Sequence, residues 1–102
     1  MKNVMSTLAV STLLLASSSA FAGDAAAGKT KYAMCGGCHG SNGVSASPTY
    51  PSLAGKDAGF IKAELEKFRS GARDNATMKA MSAGLSDADI DNLAAYVATL
   101  KP

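Results

Sequence analysis

Two cysteines three positions apart with a histidine directly after the second, Cys35-Gly36-Gly37-Cys38-His39, constrain this chain more than any other stretch. Two thiols at this spacing, followed by an imidazole, form the attachment pattern of a covalently bound haem. Each thiol adds across one vinyl group to give a thioether, and the adjacent imidazole reaches the iron from the same side. Gly36 and Gly37 add no bulk between the anchors. The rest of the chain then reads as packing around that group.

The same thiols also suit a redox dithiol or half of a zinc site. A structural zinc site takes four ligands, and Cys35, Cys38 and His39 are the whole supply of Cys and His in the 102 residues. A thioredoxin-like dithiol stands at the start of a helix after a strand. No β-rich segment precedes Cys35.

The first part of the chain reads as a targeting segment. Met1-Lys2-Asn3 gives a short positive start, Val4 to Ala16 is largely apolar, and Ala20-Phe21-Ala22 offers small residues at the two positions a signal peptidase reads. The pattern predicts cleavage after Ala22, with residues 1–22 a signal peptide and residues 23–102 an exported, periplasmic domain. The apolar run is too short and too dotted with Ser and Thr for a membrane span. The formal net charge of +2 falls to +1 when Lys2 leaves, with nine bases against eight acids. Such a balance argues for neither nucleic-acid binding nor membrane adsorption. A domain this small buries on the order of 60% of its unfolded surface and gains from a covalent staple, which a tethered apolar macrocycle supplies. The thiols are then consumed by the haem and not by a disulfide, even in an oxidising compartment.

Periodicity places three main helices and no strand-like alternation, an all-α fold. From Asp24 to about Cys35, the residues Ala25, Gly28, Tyr32 and Cys35 share one face and deliver Cys35 to the haem. Gly28 within that face disfavours a helix by about 1 kcal/mol against Ala; either a close helix crossing, with Tyr96 as the neighbour, or simple tolerance accounts for it. Residues 40–55 are rich in Gly, Ser, Asn and Pro and read as irregular structure. There Pro51 leaves a carbonyl with no local helix to join, placed either to accept the Nδ1 proton of His39 or to form a plain turn, and Tyr50 and Leu53 are expected to line the haem pocket. A second helix from about Asp57 to Ser70, stopped by Gly71, carries Ile61, Leu65 and Phe68 inward and a Lys62/Glu66 pair on the wet side. The last opens at Ser86 with Asp89 in a capping-box arrangement and buries Ile90, Leu93, Ala94, Val97 and Leu100.

The iron's second axial position falls to a methionine, since His39 is the only histidine. Met1 and Met5 leave with the leader, and Met34 stands beside the attachment site. Met78 and Met81 remain, in a polar segment with little regular pattern that reads as a loop crossing the distal side of the haem. Both also suit ordinary core filling.

Cys-Gly-Gly-Cys-His-Gly at 35–40, Tyr-Pro-Ser-Leu-Ala-Gly at 50–55, Met78-x-x-Met81, and Gly84-Leu-Ser-Asp-Ala-Asp followed by Leu-Ala-Ala-Tyr together resemble the class I cytochromes c. The likeness runs over residues 24–100 and points to single-domain bacterial c553 proteins and to one half of the dihaem c4 type. It implies that the axial methionine stands seven residues before Leu85, at Met78, with Met81 as the second choice. It also implies that the carbonyl partner of the haem histidine is Pro51. A periplasmic one-electron carrier follows, with one haem c, no catalysis of its own, and a membrane oxidase, a reductase complex or a dehydrogenase as partner. A haem enzyme or small-ligand sensor with an open sixth position is the alternative, and a haem-free dithiol oxidoreductase a third.

Overall fold

A computed structural model describes residues 23–102; the leader expected over residues 1–22 lies outside the described residues. The described residues form four helices, α1 (Ala25–His39), α2 (Ala58–Ser70), α3 (Ala76–Ala83) and α4 (Asp87–Val97), and no strand. Each begins where a polar side chain takes over orphaned backbone donors. Asp24 accepts from the N–H groups of Ala26 and Ala27, Asp57 from Phe60, Asn75 from Met78 and Ser86 from Asp89. At α4 the box is complete, since the Asp89 carboxylate accepts the Ser86 N–H in return at 3.0 Å. Gly71 ends α2 in the left-handed conformation, at φ +85°.

Two elements differ from the sequence expectation. First, α1 runs four residues past Cys35, through the whole attachment motif to His39, and ends at Gly40 with φ +93°. A helix there sets Cys35, Cys38 and His39 at i, i+3 and i+4, on a single face. Second, residues 76–83 are helical where a loop is expected. Eight residues are too few to display a periodic apolar face, and the helix is held by side chains that cap it and by α2 beneath it.

α1 crosses α4 at close range, and α2 packs on both α4 and α3. The core at these crossings is Tyr32, Ala58, Ile61, Leu85, Ile90, Leu93, Ala94 and Val97, with Cys35, Leu53, Leu65, Tyr96 and Leu100 packed against it. Gly28 permits the first crossing. A Cβ there would stand 2.0 Å from the Asn92 carbonyl oxygen and 2.8 Å from Tyr96 Cβ, so contact and not tolerance explains the glycine. Beside it the rings of Tyr32 and Tyr96 tilt together at 5.3 Å, and the Asp24 N–H donates to Asn92 Oδ1 at 2.8 Å. Ion pairs tie the helices further. Lys62 reaches across to Asp91 of α4 at 2.6 Å instead of pairing with Glu66, which holds its ammonium above the usual lysine range, and Arg69 meets Asp87 at 2.7 Å. Leu100 stands beyond the end of α4, in the turn after it.

Residues 40–57 fold as a pinned loop. The Gly43 carbonyl accepts from both Leu53 N–H (2.8 Å) and Ala54 N–H (3.0 Å), and the Gly55 N–H donates to Leu100 O at 3.2 Å. Gly43 has φ +83° and faces Leu100 Cδ1 and Ala54 so closely that a side chain there would be both strained and crowded. Pinning at these points brings residues 50–53 back against the C-terminal end of α1.

Candidate functional site

The end of α1 and the 50–53 loop meet at one hydrogen bond. His39 is 8% exposed, and its Nδ1 stands 2.8 Å from the Pro51 carbonyl oxygen. A carbonyl only accepts, so the proton is on Nδ1, and Nε2 of the neutral ring keeps its lone pair. Tyr32 strengthens the same corner: its hydroxyl donates to Gly40 O at 2.7 Å, and burial, with smaller contributions from Cys35 and Tyr96, pushes its phenol up to about 12.

His39 opens onto an apolar cleft between the helices. Its apolar walls come from Tyr32 and Cys35 of α1, Pro51 and Leu53 of the loop, Phe60, Ile61, Leu65 and Phe68 of α2, and Leu93 and Val97 of α4. Met78 of α3 completes the lining. α1 and α3 share no contact, so the cleft takes a nitrogen donor from one side of the fold and a thioether from an element apart from it. Met81 is 36% exposed and does not reach the cleft. Tyr50 is also outside the lining; it is exposed, with its ring edge-on to His39 at 6.3 Å. Cys38 is exposed on the same helical face as Cys35.

Two charged residues also line this cleft, Glu64 and Arg73, which pair with each other. Lys67 meets the same carboxylate at 3.1 Å, and Lys67 first, then Arg73, hold Glu64 below the usual carboxylate range. The Arg73 guanidinium lies 4.8 Å over the Phe68 ring. In the sequence neither carries a local signal that sets it apart.

The donors fit a haem better than a working dithiol. Burial pushes the Cys35 thiol up, with Cys38 a second cause, the opposite of the depressed thiol that dithiol exchange needs. An apolar cleft lined by Cys35, an imidazole with a fixed tautomer and a thioether, with Cys38 on the same helical face as Cys35, matches a tethered macrocycle held by two further ligands. An all-helical covalent-haem protein is the class that this fold and site define.

Comparison with known proteins agrees. The family model for cytochrome c matches residues 25–101. Cytochrome c-554(548) of Halomonas halodenitrificans is 44% identical over 78 residues, covering 74% of this chain and 94% of that protein. Cytochrome c4 of Pseudomonas aeruginosa is 41% identical over 80 residues, covering 78% of this chain and 40% of its own length. A crystal structure of reduced recombinant cytochrome c4 from Pseudomonas stutzeri superposes with a TM-score of 0.74 at 37% identity, over 78% of this chain and 47% of that one. The chain thus spans less than half the length of the c4 proteins and nearly all of the c-554 protein. A protein named thiosulfate dehydrogenase electron acceptor, from Stutzerimonas stutzeri, is 45% identical over 62 residues, 60% of this chain and 29% of its own. The chain belongs to the cytochrome c family, of the class I type, and haem c with its iron is its cofactor.

Proposed function

We propose that this cytochrome is an exported mono-haem carrier that passes one electron at a time between redox proteins. Cys35 and Cys38 would hold the haem through their sulfurs, and His39 and Met78 would ligate its iron. The observation that carries the reading is the 2.8 Å hydrogen bond between His39 Nδ1 and the Pro51 carbonyl. It fixes the tautomer and the ring plane of a buried histidine whose remaining nitrogen has a lone pair to give and whose side chain lines the cleft. When bound, the haem supplies a reversible couple between ferrous and ferric iron.

The chain's own residues make that couple fast and selective. Pro51 holds its proton partner in place, so His39 turns little between oxidation states. Met78, a neutral thioether, would ligate the iron as well, favouring the reduced state and leaving no open site for a substrate. The apolar walls from α2 and α4 exclude water. The reading includes a cleaved leader at residues 1–22 and a periplasmic location, supported by the residue pattern around Ala20 and Ala22. Among the described residues no helix is long and apolar enough to cross a membrane. Of the partner classes, a dehydrogenase on the donor side draws support from the relative named as an electron acceptor of thiosulfate dehydrogenase; a membrane oxidase or reductase complex then takes the other side.

Absorption spectroscopy of the exported holoprotein tests this. The expected spectrum is that of low-spin covalent haem, with the weak far-red band of thioether ligation in the ferric form. Met78→Ala removes that band, lowers the potential and admits cyanide, while Met81→Ala keeps the band. A high-spin wild type, or loss of the band only in Met81→Ala, refutes the ligand assignment. Turnover of peroxide by the intact protein moves it to the enzyme class.

A further inference from the structure

We infer that Asn75 and Ser82 are positioning residues for Met78, holding the peptide units on its two sides so that the thioether stays directed into the cleft. The inference rests on the reading of Met78 as an iron ligand. The Met78 N–H donates to Asn75 Oδ1 at 2.9 Å, and the Met78 carbonyl accepts from Ser82 Oγ at 2.6 Å.

Three features give these two bonds a role beyond helix building. α3 is eight residues long and contacts α2 alone among the helices. A helix so short is marginal by itself, so its side-chain bonds decide how often it opens. Next, Ser82 is fully buried, at 0% exposure. An alanine would fill that space without a hydroxyl to desolvate, and a serine that bonds back to the carbonyl four residues earlier loosens a helix slightly. Its hydroxyl therefore does little for the helix as such, and the group it does hold is the Met78 carbonyl. Finally, the Ser82 carbonyl accepts the N–H of Leu85 at 3.0 Å, and Leu85 is in the core. The grip on Met78 is thus continuous with the rigid part of the fold, while Asn75 fixes the peptide unit on the other side of the residue.

A thioether is a neutral ligand that an external anion replaces once the methionine swings away. The rate of that replacement in the ferric protein measures how well the methionine is held. Loss of a cap of this kind corresponds to about a five-fold change in an opening equilibrium.

The experiment is cyanide binding to ferric holoprotein, followed by the far-red band, in Asn75→Ala, Asn75→Asp, Ser82→Ala, Ser86→Ala and Met78→Ala variants. Asn75→Ala is expected to bind cyanide about five-fold faster or more, Ser82→Ala to bind it faster than wild type, and Asn75→Asp, whose carboxylate still accepts the Met78 N–H, to return to the wild-type rate. Ser86→Ala removes the cap of α4 and weakens the fold without touching α3, and is expected to leave the rate alone. Equal acceleration in Ser86→Ala, or none in the Asn75 and Ser82 variants, overturns the inference while Met78 remains the ligand. Retention of the band and of the wild-type rate in Met78→Ala shows instead that the ligand reading itself has failed. Should Ser82→Ala not fold, the surface pair at Asn75 decides the matter.

Discussion

Replacing Gly28 with alanine inverts the usual effect of that substitution. In an unobstructed helix Gly→Ala gains about 1 kcal/mol. Here the added Cβ would stand 2.0 Å from the Asn92 carbonyl oxygen, against an ordinary carbon–oxygen contact of roughly 3.3 Å. The obstacle is backbone, so α1 and α4 must part by about 1 Å to accept it. Parting costs the Asp24 N–H bond to Asn92, 2.8 Å in the native fold, worth about 1 kcal/mol. It also weakens the Tyr32–Tyr96 ring pair at 5.3 Å, worth about 0.5–1.5 kcal/mol, and adds overpacking strain of about 1–3 kcal/mol. After the helix gain is deducted, Gly28→Ala is expected to destabilise the holoprotein by about 1.5–4.5 kcal/mol. Urea unfolding followed by circular dichroism measures it. Gly84→Ala is the matched control: nothing lies within 4 Å of its Cβ and its φ is −88°, so it is expected to stabilise by about 0.4–1 kcal/mol through the unfolded chain. An unchanged or higher midpoint for Gly28→Ala refutes the close-crossing argument.

Cys35→Ala with Cys38→Ala is expected to abolish haem-linked peroxidase staining of the polypeptide on denaturing gels, and to leave a poorly helical chain, because the haem supplies much of the core of so small a domain. Mass spectrometry of the exported protein is expected to give a chain beginning at Gly23; a functional pool that retains residues 1–22 would contradict the leader. Lys67 and then Arg73 lower Glu64 from its ordinary value, so their stabilisation is present above the usual carboxylate range and is lost as pH falls through the lowered value. The stability gap between wild type and Glu64→Gln is therefore expected to narrow on acidification in parallel urea titrations; a gap that widens would reverse the sign.

Local chemistry made much of this protein legible before any fold was known. Cys35, Cys38 and His39 are close in sequence and together carry the two thiols and the imidazole that covalent haem calls for, so the cofactor was legible from five residues. The Ser86 and Asp89 box and the Gly71 stop are equally local, because a helix end is satisfied by groups within one turn of it. Pro51 was readable as a carbonyl in search of a donor, though its 2.8 Å approach to His39 depends on the pinning of Gly43 and Gly55. What only the tertiary structure decided was which distant neighbour each of several residues meets. Lys62 bonds Asp91 and not Glu66 because α2 lies on α4, which no helical spacing encodes. Gly28 is explained by a carbonyl far away in sequence. Met78 and Met81 are alike in composition and neighbourhood, and α3 is too short to show a face. Its docking on α2 turns one methionine into the cleft and leaves the other in solvent, because side-chain direction on a helix is set by rotation about an axis that only packing can fix.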